Sequence, residues 1–179
     1  MSNRRPTLIV FILTTVLLLT LAASCTHPGD PVYSKFLKIG ADGWDPADLL
    51  VFEPVPADSA DMKRGRFDID LAFRFSTRRP IQSIPVAITV ESYEGVVSAD
   101  TVVIDLYDAS GKPLGEGAYG VHTVTRRLVS DTPLPDNYEI SLSPLSRRQA
   151  SAGLLNVGVV MTPAGSSRDG IRIPFVNNF

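Results

Sequence analysis

The sequence contains very little cysteine and histidine: one cysteine, Cys25, and two histidines in 179 residues. A single cysteine excludes disulfide bonds within the chain and any metal site built on several thiolates. His27 and His122 are too few and too far apart in the chain to predict a zinc site or a catalytic triad. Stability must therefore come from the packing of apolar side chains.

Basic residues are too few for a nucleic-acid-binding protein. Lysine and arginine together number 17 against 19 acidic residues, which gives a formal net charge of −2. A protein that neutralises phosphates needs a basic face, so the composition argues against a nucleic-acid partner. Adjacent arginine pairs occur at residues 4–5, 78–79, 126–127 and 147–148. Residues 126–127 fall in a β-prone run, where neighbouring residues face opposite sides, so we expect that these two arginines are not both buried. For the pairs at 78–79 and 147–148 we expect turns and the rim of the domain.

Long helical periodicity is also absent, and apolar residues instead alternate over short segments. The clearest alternation covers residues 67–75, with apolar side chains on one face and mostly charged ones on the other. This period of two predicts a half-buried antiparallel strand. Shorter alternating or β-branched runs lie at residues 33–39, 49–52, 84–90, 101–107, 121–128, 138–142 and 155–161. Pro85 predicts an edge strand or a strand start, and residues 147–150 predict a helical turn. Seven to nine short strands separated by turns predict an all-β fold, an antiparallel β-sandwich.

The N-terminus has the layout of a lipoprotein signal peptide. Arg4 and Arg5 precede an apolar run over residues 8–23, and Leu-Ala-Ala-Ser stands directly before Cys25. The run is about 16 residues long, shorter than the roughly 20 that span a bilayer core, and it ends in small residues. We therefore expect Cys25 to become a new N-terminus, acylated with chains such as palmitate that attach the protein to a membrane. An uncleaved transmembrane anchor, or an ordinary signal peptide followed by an incidental cysteine, are the alternatives.

This layout predicts four segments. They are a signal peptide (residues 1–24), a lipidated N-terminus with a polar tether (25–32), a β-sandwich domain (33–163), and a C-terminal tail or last strand (164–179). The tether lacks the acidic cluster that marks many surface-exported lipoproteins. Its absence favours a lipid-anchored protein of the cell envelope that faces the periplasm.

A glycine-rich stretch at residues 115–120 matches the G-x-G-x-x-G pattern of dinucleotide sites. In such a site the glycines follow a buried strand and open a helix whose N-terminus holds the pyrophosphate. Here Gly115 follows a turn, and Gly120 leads into the β-prone residues 121–125. A bulged or tightly packed strand is therefore expected, with no bound cofactor.

Two groups of carboxylates are candidates for metal binding or for catalysis. Asp42, Asp45 and Asp48 are hard-cation ligands at short spacing, but they do not follow the spacing of an EF-hand loop. Aspartate before glycine or proline is common in turns, and we favour that interpretation. The glutamates at positions 91, 94 and 116 would serve a glycosidase only if they converged in a cleft. Their spacing favours a solvated strand face, so no metal and no catalytic residue is predicted.

Two aromatic residues in turns are the best candidates for contact with a ligand or partner. Trp44 and Tyr119 are either exposed stacking platforms or plugs at the ends of the sandwich, since aromatic side chains serve both roles. With Gly115 and Gly117 they are the candidate interaction residues. An accessory protein that contacts an envelope partner, and a carbohydrate- or peptide-binding lipoprotein, would both use these loops.

The order of several short motifs is similar to that of a known family. The motifs are the lipobox ending in Cys25, Gly43-Trp44, Phe73-Arg74 at the end of the alternating strand, Asp100-Thr101 ahead of Leu106, residues 108–111 (DASG), 114–117 (LGEG), Tyr138, and 154–159 (LLNVGV). They cover residues 33–161 and resemble the gliding-motility lipoprotein GldH family of Bacteroidetes. The resemblance implies a non-enzymatic envelope lipoprotein, associated with the gliding or secretion machinery through a protein partner. Members also occur in bacteria that do not glide, so an envelope role does not require motility.

Overall fold

The computed structural model describes residues 30–55, 65–93, 95–133 and 138–165. The predicted signal peptide (residues 1–24), Cys25 with residues 26–29 of the predicted tether, and residues 166–179 lie outside the described residues. All the strands belong to one compact unit that begins at Pro31. In the part of the chain that is described, no helix has the length and apolar character needed to cross a membrane.

Nine β-strands and one 3₁₀ turn make up the described secondary structure. The strands are β1 (Tyr33–Lys38), β2 (Leu50–Phe52), β3 (Phe67–Ser76), β4 (Ser83–Ser92), β5 (Gly95–Asp105), β6 (Glu116–Ala118), β7 (Val121–Thr132), β8 (Glu139–Pro144) and β9 (Leu154–Pro163), and the turn η1 is Arg148–Ser151. They form two antiparallel sheets, in the order β1-β9-β3-β7-β6 and β2-β8-β4-β5. The predicted all-β sandwich is confirmed.

The core lies between the two sheets and is built by alternation. In β3, the central strand of its sheet, Phe67, Ile69, Leu71, Phe73 and Phe75 are all buried. The second sheet contributes alternate residues of β4 and β8, which are buried in the same way. Burying such side chains contributes roughly 1.5–3 kcal/mol each, so this core stabilises the domain without a disulfide.

The structure changes two expectations about individual strands. β5 and β7 are longer than predicted, because β4 and β3 continue to pair with them. β4 is an interior strand, so Pro85 marks a strand start rather than an edge, and pairing with β8 begins one residue later at Val86. Arg126 and Arg127 lie inside β7, within the strand predicted over residues 121–128, and neither is fully buried.

The sandwich has two ends, which we name by the course of β1. The proximal end is where the chain enters at Tyr33, opposite Met161, and the distal end is where β1 finishes at Lys38, opposite Asn156. The six residues of β1 separate the two ends by about 20 Å. The pairing of β3 with β9 and β7 brings the loops at residues 39–49, 77–82, 119–120 and 145–153 to the distal end.

Candidate functional site at the distal end

Trp44 lies in the core and not on the surface. Its side chain is only 1% exposed, its backbone N–H donates to Ser151 Oγ at 2.7 Å, and its indole Nε1–H donates to the Asp48 carbonyl at 2.9 Å. An indole held in this way offers no free face for stacking. Of the two alternatives left open by the sequence, Trp44 is the plug, and an exposed platform at this position is excluded.

The loop that carries Trp44 is docked on η1. Gly43 has φ of +104°, and a Cβ at this position would lie 1.9 Å from the carbonyl oxygen of Arg148, so no other residue fits. Asp45 forms an ion pair with Arg148 and accepts a hydrogen bond from the backbone N–H of Ala47. The Asp45 side chain therefore serves turn geometry and docking, and Asp48 contributes its backbone carbonyl to Trp44. Among the described residues no group of three or more His, Cys, Asp or Glu side chains is placed to hold a metal ion.

The glycine-rich stretch is a tightly packed hairpin. A Cβ on Gly117 would lie 2.2 Å from the carbonyl oxygen of Val121, and one on Gly115 would lie 2.1 Å from that of Thr123. Gly115 and Gly117 therefore allow β6 to approach β7 closely. The segment leads into a strand, so it lacks the helix N-terminus that a pyrophosphate site requires.

Tyr119 stands at the tip of this hairpin with its side chain fully exposed. Ala118 pairs with Val121, so Tyr119 and Gly120 form a two-residue loop, with φ of +53° and +81°. Positive φ at both positions is the type I′ geometry, which favours asparagine or glycine over tyrosine. The structure thus presents this aromatic ring to solvent from a backbone conformation that tyrosine disfavours.

The Tyr119 turn is held to the neighbouring loop. The carbonyl oxygen of Gly120 accepts hydrogen bonds from the backbone N–H of Thr77 at 2.9 Å and from its hydroxyl at 3.3 Å. These bonds join the β6–β7 turn to the β3–β4 loop. The exposed tyrosine is therefore carried on a supported platform.

The loop between β5 and β6 is ordered by Asp108. Its Oδ1 accepts hydrogen bonds from the Ser110 hydroxyl at 2.6 Å, the Ser110 N–H at 2.8 Å and the Lys112 N–H at 2.9 Å. The Ser110 hydroxyl, followed by the Lys112 N–H, lowers the pKa of Asp108, so the carboxylate is ionised when it caps this turn. The DASG motif is a structural turn.

A basic groove opens beside these loops. Its volume is about 710 Å³, and Lys38, Arg78 and Arg79 line it together with the backbone near Gly153. Arg78 and Arg79 lie at a turn, as the sequence predicts. Their proximity to Lys38 could not be read from the chain, because it depends on β9 lying between β1 and β3. We call this feature the distal groove.

The fold and the site define a single-domain antiparallel β-sandwich whose distal loops carry one exposed tyrosine and a basic groove. The sequence model of the GldH lipoprotein family matches residues 31–161, and the chain belongs to this family. Family membership indicates a lipid-anchored location in the cell envelope. No curated protein sequence matches the chain.

Comparison with solved structures finds only distant similarity. The Eiger TNF structure from S. frugiperda is 7% identical with a TM-score of 0.30, and the comparison covers 80% of this chain and 99% of that one. A Nora virus structure is 11% identical with a TM-score of 0.30, covering 82% and 62%. A black queen cell virus structure is 11% identical with a TM-score of 0.28, covering 88% and 80%.

Proposed function

We propose that this protein is a non-catalytic accessory lipoprotein, anchored through acylated Cys25 and facing the periplasm, that binds a protein partner of the gliding or secretion machinery through its distal loops. The observation that carries the proposal is Tyr119, a fully exposed ring on a supported turn. Large aromatic side chains presented in this way dominate the binding energy of protein interfaces. Membership of the GldH lipoprotein family supports the envelope location.

The position of the anchor favours the distal end as the contact surface. A lipid on Cys25 joins the sandwich through residues 26–32, which span at most about 25 Å when extended, and the chain enters at the proximal end. The distal loops are separated from this point of entry by the length of β1. Tethering raises the effective concentration of the domain beside membrane partners, so a modest contact surface suffices.

Acylation at Cys25 is tested by intact mass spectrometry of the full-length protein expressed in its native envelope. We expect the mass of residues 25–179 plus the acyl chains. In Cys25→Ser the acyl mass should be lost entirely, because the serine hydroxyl does not replace the thiol that receives the lipid. A native chain with an unmodified Cys25 would contradict the lipoprotein assignment of this residue.

Partner binding is tested by crosslinking and pull-down from the membrane fraction. We expect Tyr119→Ala to reduce capture of envelope proteins by about tenfold or more, since loss of a hot-spot aromatic removes roughly 2 kcal/mol. Tyr93→Ala is the matched control, because Tyr93 is also an exposed tyrosine in a strand-connecting turn but lies at the proximal end. Equal capture by both variants would exclude Tyr119 from the contact surface.

Tyr119→Asn separates binding from stability. Asparagine accepts positive φ, so we expect this variant to be more stable than the native chain by on the order of 1 kcal/mol, measured by denaturant unfolding. Its partner capture should fall as in Tyr119→Ala. A variant that is destabilised would show that the tyrosine ring supports the hairpin instead of a partner.

A carbohydrate- or peptide-binding lipoprotein is the second candidate function, and it uses the same exposed ring. Because Trp44 is buried, only Tyr119 remains of the two aromatic platforms considered. A glycan array probed with the native chain and with Tyr119→Ala distinguishes the candidates. Glycan binding that disappears in the variant, with no protein captured by the native chain, would favour this second function.

A further inference from the structure

The distal groove concentrates positive charge in a chain with a net negative charge. Lys38, Arg78 and Arg79 contribute three cations, and the residues that line the groove include no aspartate or glutamate. The whole chain has a formal net charge of −2. The groove is therefore a local positive region that the overall composition does not predict, and such regions attract anionic groups.

In the described part of the chain, Lys38, Arg78 and Arg79 lack carboxylate partners of the kind that three other arginines have. Arg66 pairs with Asp131, Arg127 pairs with two aspartates of β3, and Arg148 pairs with Asp45. Across residues 30–55, 65–93, 95–133 and 138–165, no such ion pair involves Lys38, Arg78 or Arg79. Of these three, Arg79 donates from Nη1 to the Ala41 carbonyl at 3.4 Å, which leaves its charge available to an anion.

The fold holds these cations together. Lys38 is the last residue of β1 and is placed by its pairing with Asn156 of β9. The backbone of Arg79 packs on Gly153, where a Cβ would lie 2.5 Å from the Arg79 carbonyl oxygen. The positions of the like charges are thus set by strand pairing and close backbone contact, and their mutual repulsion is relieved when a carboxylate enters between them.

Apart from Ser76 and Asn156, the remaining lining of the groove is aliphatic, alanine or glycine. The side chains of Ile39 and Leu154 are buried beneath it, and Gly40 and Ala41 leave room above them. A ligand that fits this lining carries carboxylates beside an aliphatic group. An extended peptide with acidic residues around one apolar side chain has that combination, and guanidinium groups bind carboxylates through paired hydrogen bonds.

We propose that the distal groove binds an acidic extended segment of a partner protein, with its carboxylates on Lys38, Arg78 and Arg79 and an apolar side chain against the floor. This inference rests on the proposed function as an interaction protein and names the chemistry of its partner. A protein segment is favoured over a lipid headgroup, because Ile39 and Leu154 beside the cations offer an apolar contact that a peptide side chain can make and a phosphate cannot.

The test uses the full acylated protein in neutral detergent micelles and a fluorescent Glu-Glu-Leu-Glu-Glu peptide, with fluorescence anisotropy as the measurement. We expect saturable binding that weakens as salt rises from about 50 to about 200 mM, as charge pairing requires. Arg78→Glu/Arg79→Glu should weaken binding by at least about tenfold. Lys38→Glu should have the same effect, so the groove is still tested if the double variant does not fold. Arg147→Glu is the matched control, an exposed distal arginine outside the groove, and should bind within about twofold of the native chain.

Three outcomes would overturn the proposal. They are no binding of the peptide, equal loss in Arg147→Glu and in the groove variants, and groove-dependent binding of phosphatidylglycerol vesicles without binding of the peptide. The last outcome would assign the groove to a lipid headgroup. Because the peptide assay does not involve the pull-down, the groove is tested even if the accessory function proposed through Tyr119 fails.

Discussion

Trp44→Ala is expected to lower the free energy of unfolding by about 3–5 kcal/mol, the range for truncation of a large buried aromatic side chain. The indole is 1% exposed and fills the distal end of the core. Truncation also removes the hydrogen bond from Nε1 to the Asp48 carbonyl, which holds the loop closed. A domain of this size has roughly 5–15 kcal/mol of total stability, so the variant should be near the limit of folding.

Urea unfolding followed by circular dichroism measures this effect. Trp44→Phe keeps most of the apolar area and loses only the indole hydrogen bond, so we expect a smaller loss of about 1–2 kcal/mol. Tyr93→Ala, at an exposed turn, should change stability by less than about 0.5 kcal/mol. If Trp44→Ala unfolds at the same urea concentration as the native chain, the tryptophan does not belong to the core.

Arg127→Ala is the second large effect, and we expect it to destabilise the domain by about 3 kcal/mol. Arg127 bridges two aspartates of β3, with Nη1 2.7 Å from Asp68 Oδ2 and Nε 2.6 Å from Asp70 Oδ1. The Asp68 side chain is 7% exposed and that of Arg127 is 23% exposed. Removing the cation takes the charge of Arg127 away from a buried carboxylate, which is the costly way to break an ion pair.

The charge of Arg127 does not change near neutral pH. Burial opposes the charged guanidinium, but the hydrogen bond and charge of Asp70, with the charge of Asp68, outweigh burial and raise the pKa of Arg127. A raised pKa means that the stabilisation is fully present below the ordinary pKa of an arginine in the unfolded chain and is lost only as the pH rises through the folded pKa. The difference between native and Arg127→Ala should therefore be the same at pH 6 and pH 8.

Arg66→Ala is the matched control for Arg127→Ala. Arg66 also pairs with an aspartate, Asp131, but the two side chains are 54% and 66% exposed, so its loss should destabilise the domain far less than the loss of Arg127. Asp68→Asn in the Arg127→Ala background should recover part of the loss, because the amide carries no buried charge. Equal costs for Arg127→Ala and Arg66→Ala would show that burial of the β3 carboxylate is unimportant.

The fold was predictable where the pattern was local. The alternation over β3 requires only that neighbouring side chains face opposite sides, and it predicted a strand that the structure contains. The family motifs were also recognisable in the sequence, and the structure explains two of them. Gly43 packs on the Arg148 carbonyl, and Gly115 and Gly117 allow β6 to approach β7 closely. Strand ends were less predictable, because β5 and β7 continue wherever a neighbour supplies hydrogen bonds.

The candidate site was predictable only in part. Trp44 and Tyr119 are both aromatic residues in turns, and no local property distinguishes the buried one from the exposed one. Docking of the Gly43 loop on η1 buries Trp44, while the two-residue hairpin turn presents Tyr119 to solvent. Arg127 lies in the strand expected over residues 121–128, but its pairing with Asp70 of β3, 57 residues away in the chain, could not be read from the sequence.

By itself the sequence determined that the chain is all-β and that it resembles the GldH lipoproteins, and it predicted lipid attachment at the one cysteine, since composition, alternation and motif order are properties of neighbouring residues. The tertiary structure alone decided which aromatic side chain is exposed and which cations have carboxylate partners. Those outcomes depend on the order of strands in the sheet. The order β1-β9-β3-β7 brings Lys38 beside Arg78, and it brings Arg127 beside Asp68.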